Sequence, residues 1–172
     1  RKDFMLIALP NLDKSFTVTL FLSFAGKESF ANLNSDAEIT NFFETEFADA
    51  CQLMPTLLDE FKQNPAASLV TVRCFPWVKN NVALIGDASH AIVPFYGQGM
   101  NSGFEDCYVL NSLLDTHDDN WQLTLDAFQK QRKPDDDAIA DLALENFIVM
   151  RDKVADKKFL IRKKIEAHIN SL

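Results

Sequence analysis

The sequence predicts an α+β fold in which strands come first and helices follow. Three observations carry that expectation. Two strand-like runs near the N-terminus flank a turn-like cluster. A short apolar run near residue 81 opens into a glycine-rich loop, and nearly everything after residue 100 has helical periodicity. A chain of 172 residues can bury one real core, and its length gives little ground for two independent domains.

The first run, FMLIALP at residues 4–10, sets Met5, Ile7 and Leu9 on one face and Phe4, Leu6 and Ala8 on the other. In the second, FTVTLFLSF at 16–24, Phe16, Val18, Leu20 and Leu22 alternate with Thr17, Thr19, Phe21 and Ser23. The intervening NLDKS has turn chemistry, so the pair reads as a β-hairpin. Both faces of the first arm are apolar. Such a sheet should be covered on both sides, by core on one and by a ligand on the other.

Helix signals follow. Ser35 with Glu38 three residues on forms a capping-box pattern, and Ile39, Phe42, Phe43 and Phe47 recur at helical spacing. A second short helix is expected with Pro55 in its first turn. Residues 68–78, SLVTVRCFPWV, return to strand chemistry until Pro76 bends them. NVALIGD at 81–87 reads as a short buried strand. Beyond the glycine loop, one helix is expected from about Met100 to Leu114, with Phe104, Cys107, Leu110 and Leu114 on a face. A second should run from Asn120 to about Arg132, and a third should begin at Pro134, its acids suiting the helix dipole. A last helical segment, 156–171, carries Lys157, Lys158, Arg162, Lys163 and Lys164. The expected regions are a β-rich part at 1–80, a strand–loop–helix at 81–116 and a helical part at 117–172.

Composition narrows the function. A formal charge of −8 argues against nucleic acid as a partner, since phosphates call for clustered Lys and Arg. The acidic runs Asp118-Asp119 and Asp135-Asp136-Asp137 read as solvated surface. Cys51, Cys74 and Cys107 are scattered and odd in number, without metal or disulfide spacing, which points to a reducing compartment. No apolar run has the length of a membrane span. The chain begins with Arg1, from which a piece of something larger is expected.

The glycine loop is the informative stretch. Residues 86–106, GDASHAIVPFYGQGMNSGFED, hold Gly86, Gly97, Gly99 and Gly103, four of the five glycines in the chain. Glycine permits positive φ and lets a ligand approach without a Cβ in the way. A helix starting near Gly99 would aim unpaired N–H groups and partial positive charge at whatever sits before it. Asp87 would add a carboxylate that accepts hydrogen bonds from hydroxyls. The loop thus suits a ligand with a polyol at one end and a planar, partly anionic group at the other.

Its spelling resembles the second flavin-binding motif of the class A flavoprotein aromatic hydroxylases, GD-x-x-H-x-x-x-P-x-x-GQG-x-N. Gly86, Asp87, His90, Pro94, Gly97, Gln98, Gly99 and Asn101 all match it. The stretches FMLIALPNLDKSFTVTLF, ENFIVMRD and FLIRKKIE extend the resemblance from about residue 1 to 166, toward those members of the family that hydroxylate L-kynurenine to 3-hydroxykynurenine. The resemblance implies FAD as cofactor, NADPH as co-substrate and O2. The family also carries an earlier GxGxxG segment that holds the ADP part of FAD, together with earlier substrate-carboxylate ligands. Neither occurs in this sequence, so the missing FAD-binding segment becomes an expected partner and this piece alone is expected to be inactive.

Carried over, the resemblance gives Asp87 the ribityl hydroxyls of FAD and sets Gly86, Pro94, Gly97, Gln98 and Gly99 around the cofactor. Met100 and Asn101 would offer backbone N–H groups to the flavin's N1–C2=O edge. The oxygen chemistry belongs to the flavin, so no catalytic side chain and no metal is implied. Asn146 would face the polar end of the substrate, with Met150 beside it. Phe95 and Tyr96 would close the pocket, and Met5, Ile7, Leu9 and Phe21 would contact the aromatic ring. Each of these apolar residues could equally be ordinary core, and His90 reads either as a structural hydrogen-bonder or as an acid–base group. The last helix reads as a cap over the pocket, through Phe159, Leu160 and Ile165, or as a soluble face. A bacterial, cytoplasmic protein is expected, whereas eukaryotic members of the family associate with the outer mitochondrial membrane. Two other readings stay open: a hydroxylase of the same class acting on a phenol or benzoate, and a non-catalytic domain that keeps a flavin-binding loop.

Overall fold

The computed structural model describes residues 4–154 and 156–171. They fall into two units, one formed by the residues up to Ser68 with those from Arg151 onward, the other by Leu69–Met150. Helices and small sheets mix in the chain, so the α+β expectation holds at that level.

In the first unit the alternation of the sequence becomes a hairpin. Strand β1 (Met5–Pro10) pairs antiparallel with β2 (Phe16–Phe21), Met5 opposite Phe21 and Leu9 opposite Thr17. The Asn11 N–H donates to the Ser15 carbonyl at 2.8 Å, and the Asp13 carboxylate accepts from both the N–H and the hydroxyl of Ser15, which closes the turn. Leu6, Leu20 and Leu22 pack with Phe4 against α1 (Asp36–Glu46). The capping box at its start is present: the Ser35 hydroxyl accepts the Glu38 N–H, and the Glu38 carboxylate accepts the Ser35 N–H at 2.9 Å. Ile39, Phe43 and Phe47 complete the core with Phe4. Rings meet edge to face, Phe4 on Phe47 at 5.8 Å between centroids, an arrangement that adds to the area these side chains bury. Helix α2 (Ala48–Cys51) and α3 (Leu57–Gln63) border this cluster through Cys51, Leu57, Leu58 and Phe61. Pro55 lies just ahead of the cap residue Thr56 rather than in the first turn.

In the second unit the expected strand over 68–78 is absent. Residues 68–77 belong to no strand, and the ladder is limited to β3 (Val78–Lys79) paired with β4 (Val82–Ala83). Nor is residue 81–87 a buried strand, since Val82 is 64% exposed. Apolar and β-branched residues become strand only beside a strand they can pair with, and no such neighbour occurs among the described residues.

The helical half begins with the single turn α4 (Asp87–His90) and a 3₁₀ turn at Pro94–Tyr96, followed by α5 (Gly99–Thr116) and α6 (Trp121–Ile148). Two expectations fail here. The buried side of α5 is polar, carrying Ser102 and Asp106, while Phe104 and Cys107 face outward. And no new helix begins at Pro134, because α6 runs straight through it. A proline removes one intrahelical hydrogen bond. Here Arg132 and Asp136, two residues to either side, are held in the same buried network, so tertiary contacts carry the helix across the gap. A π-type turn at Val149–Lys153 follows, and α7 (Lys157–Asn170) starts with the Asp156 carboxylate accepting the Lys158 N–H.

Candidate functional site

The glycine loop takes its shape from two backbone positions. Gly86 sits at φ 59°, ψ −141°, and Gly97 in the left-handed region at φ 68°. A side chain at either would be strained, which explains two of the loop's glycines. The Gly86 carbonyl accepts the N–H groups of Ser89 and His90 at 2.9 and 3.0 Å and the Ser89 hydroxyl, starting α4 at Asp87. Asp87 is exposed, and its carboxylate makes no hydrogen bond or ion pair with another described residue.

Beyond the Pro94–Tyr96 turn, Gly97 reverses the chain and α5 begins at Gly99 without a side-chain cap. The first-turn N–H groups at Gly99, Met100 and Asn101 have no intrahelical acceptor, as in any helix start. They join a partial positive charge at an end that no carboxylate covers. The Asn101 side chain donates instead to Gln98 Oε1 at 2.8 Å. A Cβ on Gly103 would lie 3.8 Å from the Gly86 Cα, so α5 packs directly on the turn that carries Asp87.

Behind the loop is a network the sequence reading missed. Asp106 is fully buried; its Oδ2 accepts the Gly86 N–H at 3.0 Å and lies 2.5 Å from His90 Nε2, and its Oδ1 accepts Arg132 Nε at 2.8 Å. Arg132 Nη2 donates to Asp136 Oδ1 at 3.0 Å and to the Ser102 hydroxyl at 3.2 Å, and that hydroxyl donates in turn to Asp136. His90 is therefore buried within this network, with the Trp77 ring 5.3 Å away. Asp136 is 1% exposed, which corrects the reading of 135–137 as wholly solvated surface.

The electrostatics follow from that geometry. Burial opposes charge on His90, but the Asp106 hydrogen bond and the charges of Asp136 and Asp106 outweigh it and raise its pKa. Burial likewise works against ionised Asp106, yet His90, Arg132 and the Gly86 N–H hold its carboxyl below the usual range. At Asp136 burial wins, and the pKa is raised. His90, Asp106 and Asp136 present ligand-type atoms within 4.8 Å of one another. In the structure the His90–Asp106 contact and the Arg132 guanidinium tie these side chains together as an ion-pair network.

Asn146 and Met150 come to the same loop from α6 and the turn after it. The Asn146 amide donates to the Phe95 carbonyl, and its nitrogen lies 3.7 Å from Met150 Sδ. Phe95 is buried against Phe147, with ring centroids 4.6 Å apart, while Tyr96 remains 47% exposed. Met5, Ile7, Leu9 and Phe21 belong to the first unit, where the register pairs Met5 with Phe21 on one hairpin face. Met5 is buried and Leu9 exposed.

The residues of the loop fit the flavin end of FAD: an unpartnered carboxylate for hydroxyls, an uncapped helix N-terminus for an anionic edge, and glycines where the chain must turn. Residues 3–143 match the family model described as FAD binding domain. The chain is 52% identical over 167 residues to a kynurenine 3-monooxygenase of Flavobacterium johnsoniae, covering 96% of this chain and 37% of that protein. To the enzyme of the same name from Cytophaga hutchinsonii it is 52% identical over 171 residues, covering 99% and 38%. With that of Dictyostelium discoideum identity is 47% over 179 residues, covering 96% and 39%. The chain thus spans less than two fifths of the length of these curated relatives.

Proposed function

This chain belongs to the FAD binding domain family, and from that premise we propose that it is the later part of a longer flavin-dependent monooxygenase. That enzyme hydroxylates L-kynurenine to 3-hydroxykynurenine with NADPH and O2. The observation that carries the reading is the meeting of three features in one loop: exposed Asp87, the left-handed Gly97 and the uncapped start of α5. The shared spelling and the names of the relatives supply the substrate.

In this reading Asp87 accepts hydrogen bonds from the ribityl hydroxyls. The Met100 and Asn101 N–H groups bind the N1–C2=O edge, where the α5 dipole stabilises negative charge. Gly86, Pro94, Gly97, Gln98 and Gly99 shape the cradle. The bound flavin supplies oxygen activation, a chemistry no side chain of this segment offers. The chain's own task is to orient the aromatic substrate and exclude water. Phe95 and Tyr96 close the flavin side, and Asn146 and Met150 meet the substrate's amino-acid end. The resemblance carries Met5, Ile7, Leu9 and Phe21 over as contacts to the aromatic ring of the substrate. The three regions 1–80, 81–116 and 117–172 are, on this view, the substrate-binding sheet region, the flavin cradle and a helical region. The ADP part of FAD is held by another segment of the longer protein.

No helix among the described residues is long and apolar enough to cross a membrane. The test is substrate-stimulated NADPH oxidation by the full-length, FAD-loaded protein. Stimulation by L-kynurenine, with 3-hydroxykynurenine as product, supports the reading. Stimulation by benzoates or phenols instead would make it a neighbouring hydroxylase, and failure to bind FAD would leave only a binding module.

A further inference from the structure

We propose that Asp106 is a positioning residue for the flavin-facing turn, fixing Asp87 in place by holding the residues on either side of it. The inference rests on the flavin reading above and deepens it. Asp87 stands at the first position of α4, a helix of one turn. One turn is too short to hold its own conformation, so its orientation must come from outside. Two external ties run to the same oxygen: Asp106 Oδ2 takes the Gly86 N–H, immediately before Asp87, and His90 Nε2, at the far end of the turn, while the Cys74 thiol donates to the Ser89 carbonyl between them at 3.4 Å.

The other oxygen, Oδ1, is pinned by Arg132 Nε, and Arg132 reaches back to the Ser102 carbonyl and hydroxyl and to Asp136. The carboxylate is therefore held from α5 and α6 and spends all its remaining capacity on the turn. One polar atom of the cluster, Asp136 Oδ2, has no hydrogen bond and lies 3.6 Å from His90 Nε2. His90 thus faces Asp106 from α5, Asp136 from α6 and the neutral Trp77 ring, with Arg132 on the other oxygen of Asp106. Glu105 and Asp135 reach only Arg132 Nη1, from exposed positions. With His90 protonated, two carboxylates balance two cations. Loss of that proton leaves one uncompensated buried negative charge beside the turn.

The experiment uses the full-length FAD protein and compares Asp106→Asn, His90→Gln and the surface control Glu105→Gln. Readouts are FAD dissociation constant, visible flavin spectrum and thermal midpoint, each across pH 6–9. Asn at 106 must turn an NH2 toward Gly86 N–H or Arg132, so at least one tie is lost. The expected result is a folded protein with FAD bound about tenfold or more weakly, the factor that corresponds to one lost hydrogen bond to a charged group, and with a shifted flavin band. The parent and Glu105→Gln should lose FAD affinity as pH rises, by at most about tenfold per unit for one coupled proton. His90→Gln, which keeps a donor but cannot titrate, should show a flat profile. Unchanged affinity and spectrum in folded Asp106→Asn would overturn the proposal, as would a His90→Gln profile identical to the parent's. If Asp106→Asn does not fold, the His90→Gln profile decides alone. Should the parent itself bind no FAD, the functional reading fails first and the inference with it.

Discussion

Arg132 donates from Nε to Asp106 Oδ1 at 2.8 Å, and the two side chains are 2% and 0% exposed. Together they join the middle of α6 to the buried face of α5. Such a pair gains little over a well-packed apolar substitute, but removing one partner is costly because the other charge stays buried.

Arg132→Met in the full-length protein should therefore lower stability by about 3–5 kcal/mol. It would leave Asp106 and Asp136 with His90 as their one buried cation. Urea denaturation measures this directly. A loss under about 1 kcal/mol, the range of surface ion pairs, would mean that the pair is exposed in solution.

The same cluster sets a pH dependence whose sign can be worked out. His90 holds its proton more tightly folded than unfolded, so its stabilisation is full below the ordinary value of 6.5 and is lost as pH rises through the raised folded value. Asp106 runs the other way: its contribution is present above 3.8 and is lost as pH falls through the depressed folded value. The raised pKa of Asp136 means that its ionised form costs stability, a cost relieved on acidification. The denaturation midpoint should thus fall from pH 6 toward pH 9, and His90→Gln should abolish that fall. A midpoint that rises over this interval would contradict the assignment.

How much of this was legible in the sequence depends on whether the signal was local. The hairpin, the Ser35 capping box and the start of α5 are written in alternation, capping chemistry and glycine placement, and all appear. Residues 68–76 carry equally clear strand chemistry but lie in no strand, because pairing depends on a neighbour that sequence spacing does not supply. The buried network was hidden by a different step. Placing a helix break at Pro134 separates Arg132 from Asp136, which are i and i+4 on one continuous helix. With the helix unbroken, that pair and the matching Ser102/Asp106 spacing on α5 would have marked a polar face meeting a polar face. The reversed orientation of α5, with Phe104 outward, follows from the same pairing.

Asp87 is exposed and free of partners among the described residues. Asp87→Ala should leave stability unchanged yet weaken FAD binding in the full-length protein by about 1.5–3 kcal/mol, the range for hydrogen bonds to a charged group. Fluorescence of released flavin reports the affinity. Parent-like FAD affinity would remove Asp87 from the cradle.

The last prediction concerns Asn146, whose amide nitrogen is already spent on the Phe95 carbonyl. Its Oδ1 carries no hydrogen bond among the described residues, which leaves an acceptor suited to the ammonium of an amino acid. Asn146→Ala should weaken L-kynurenine binding by about 1–3 kcal/mol, the cost of an unmatched buried polar group. FAD affinity should barely move, because Phe95 remains seated against Phe147. Asn146→Asp separates the two tasks of the side chain: it keeps an acceptor for the ammonium but sets a carboxylate against the Phe95 carbonyl. Substrate affinity should survive better in the Asp variant than in the Ala variant, while the loop loosens and Tyr96 fluorescence changes. Equal L-kynurenine affinity in Asn146→Ala and parent, both flavin-loaded, would reduce Asn146 to a loop tether; parallel loss of FAD and substrate would say that its hold on Phe95 matters more than its reach to the ligand.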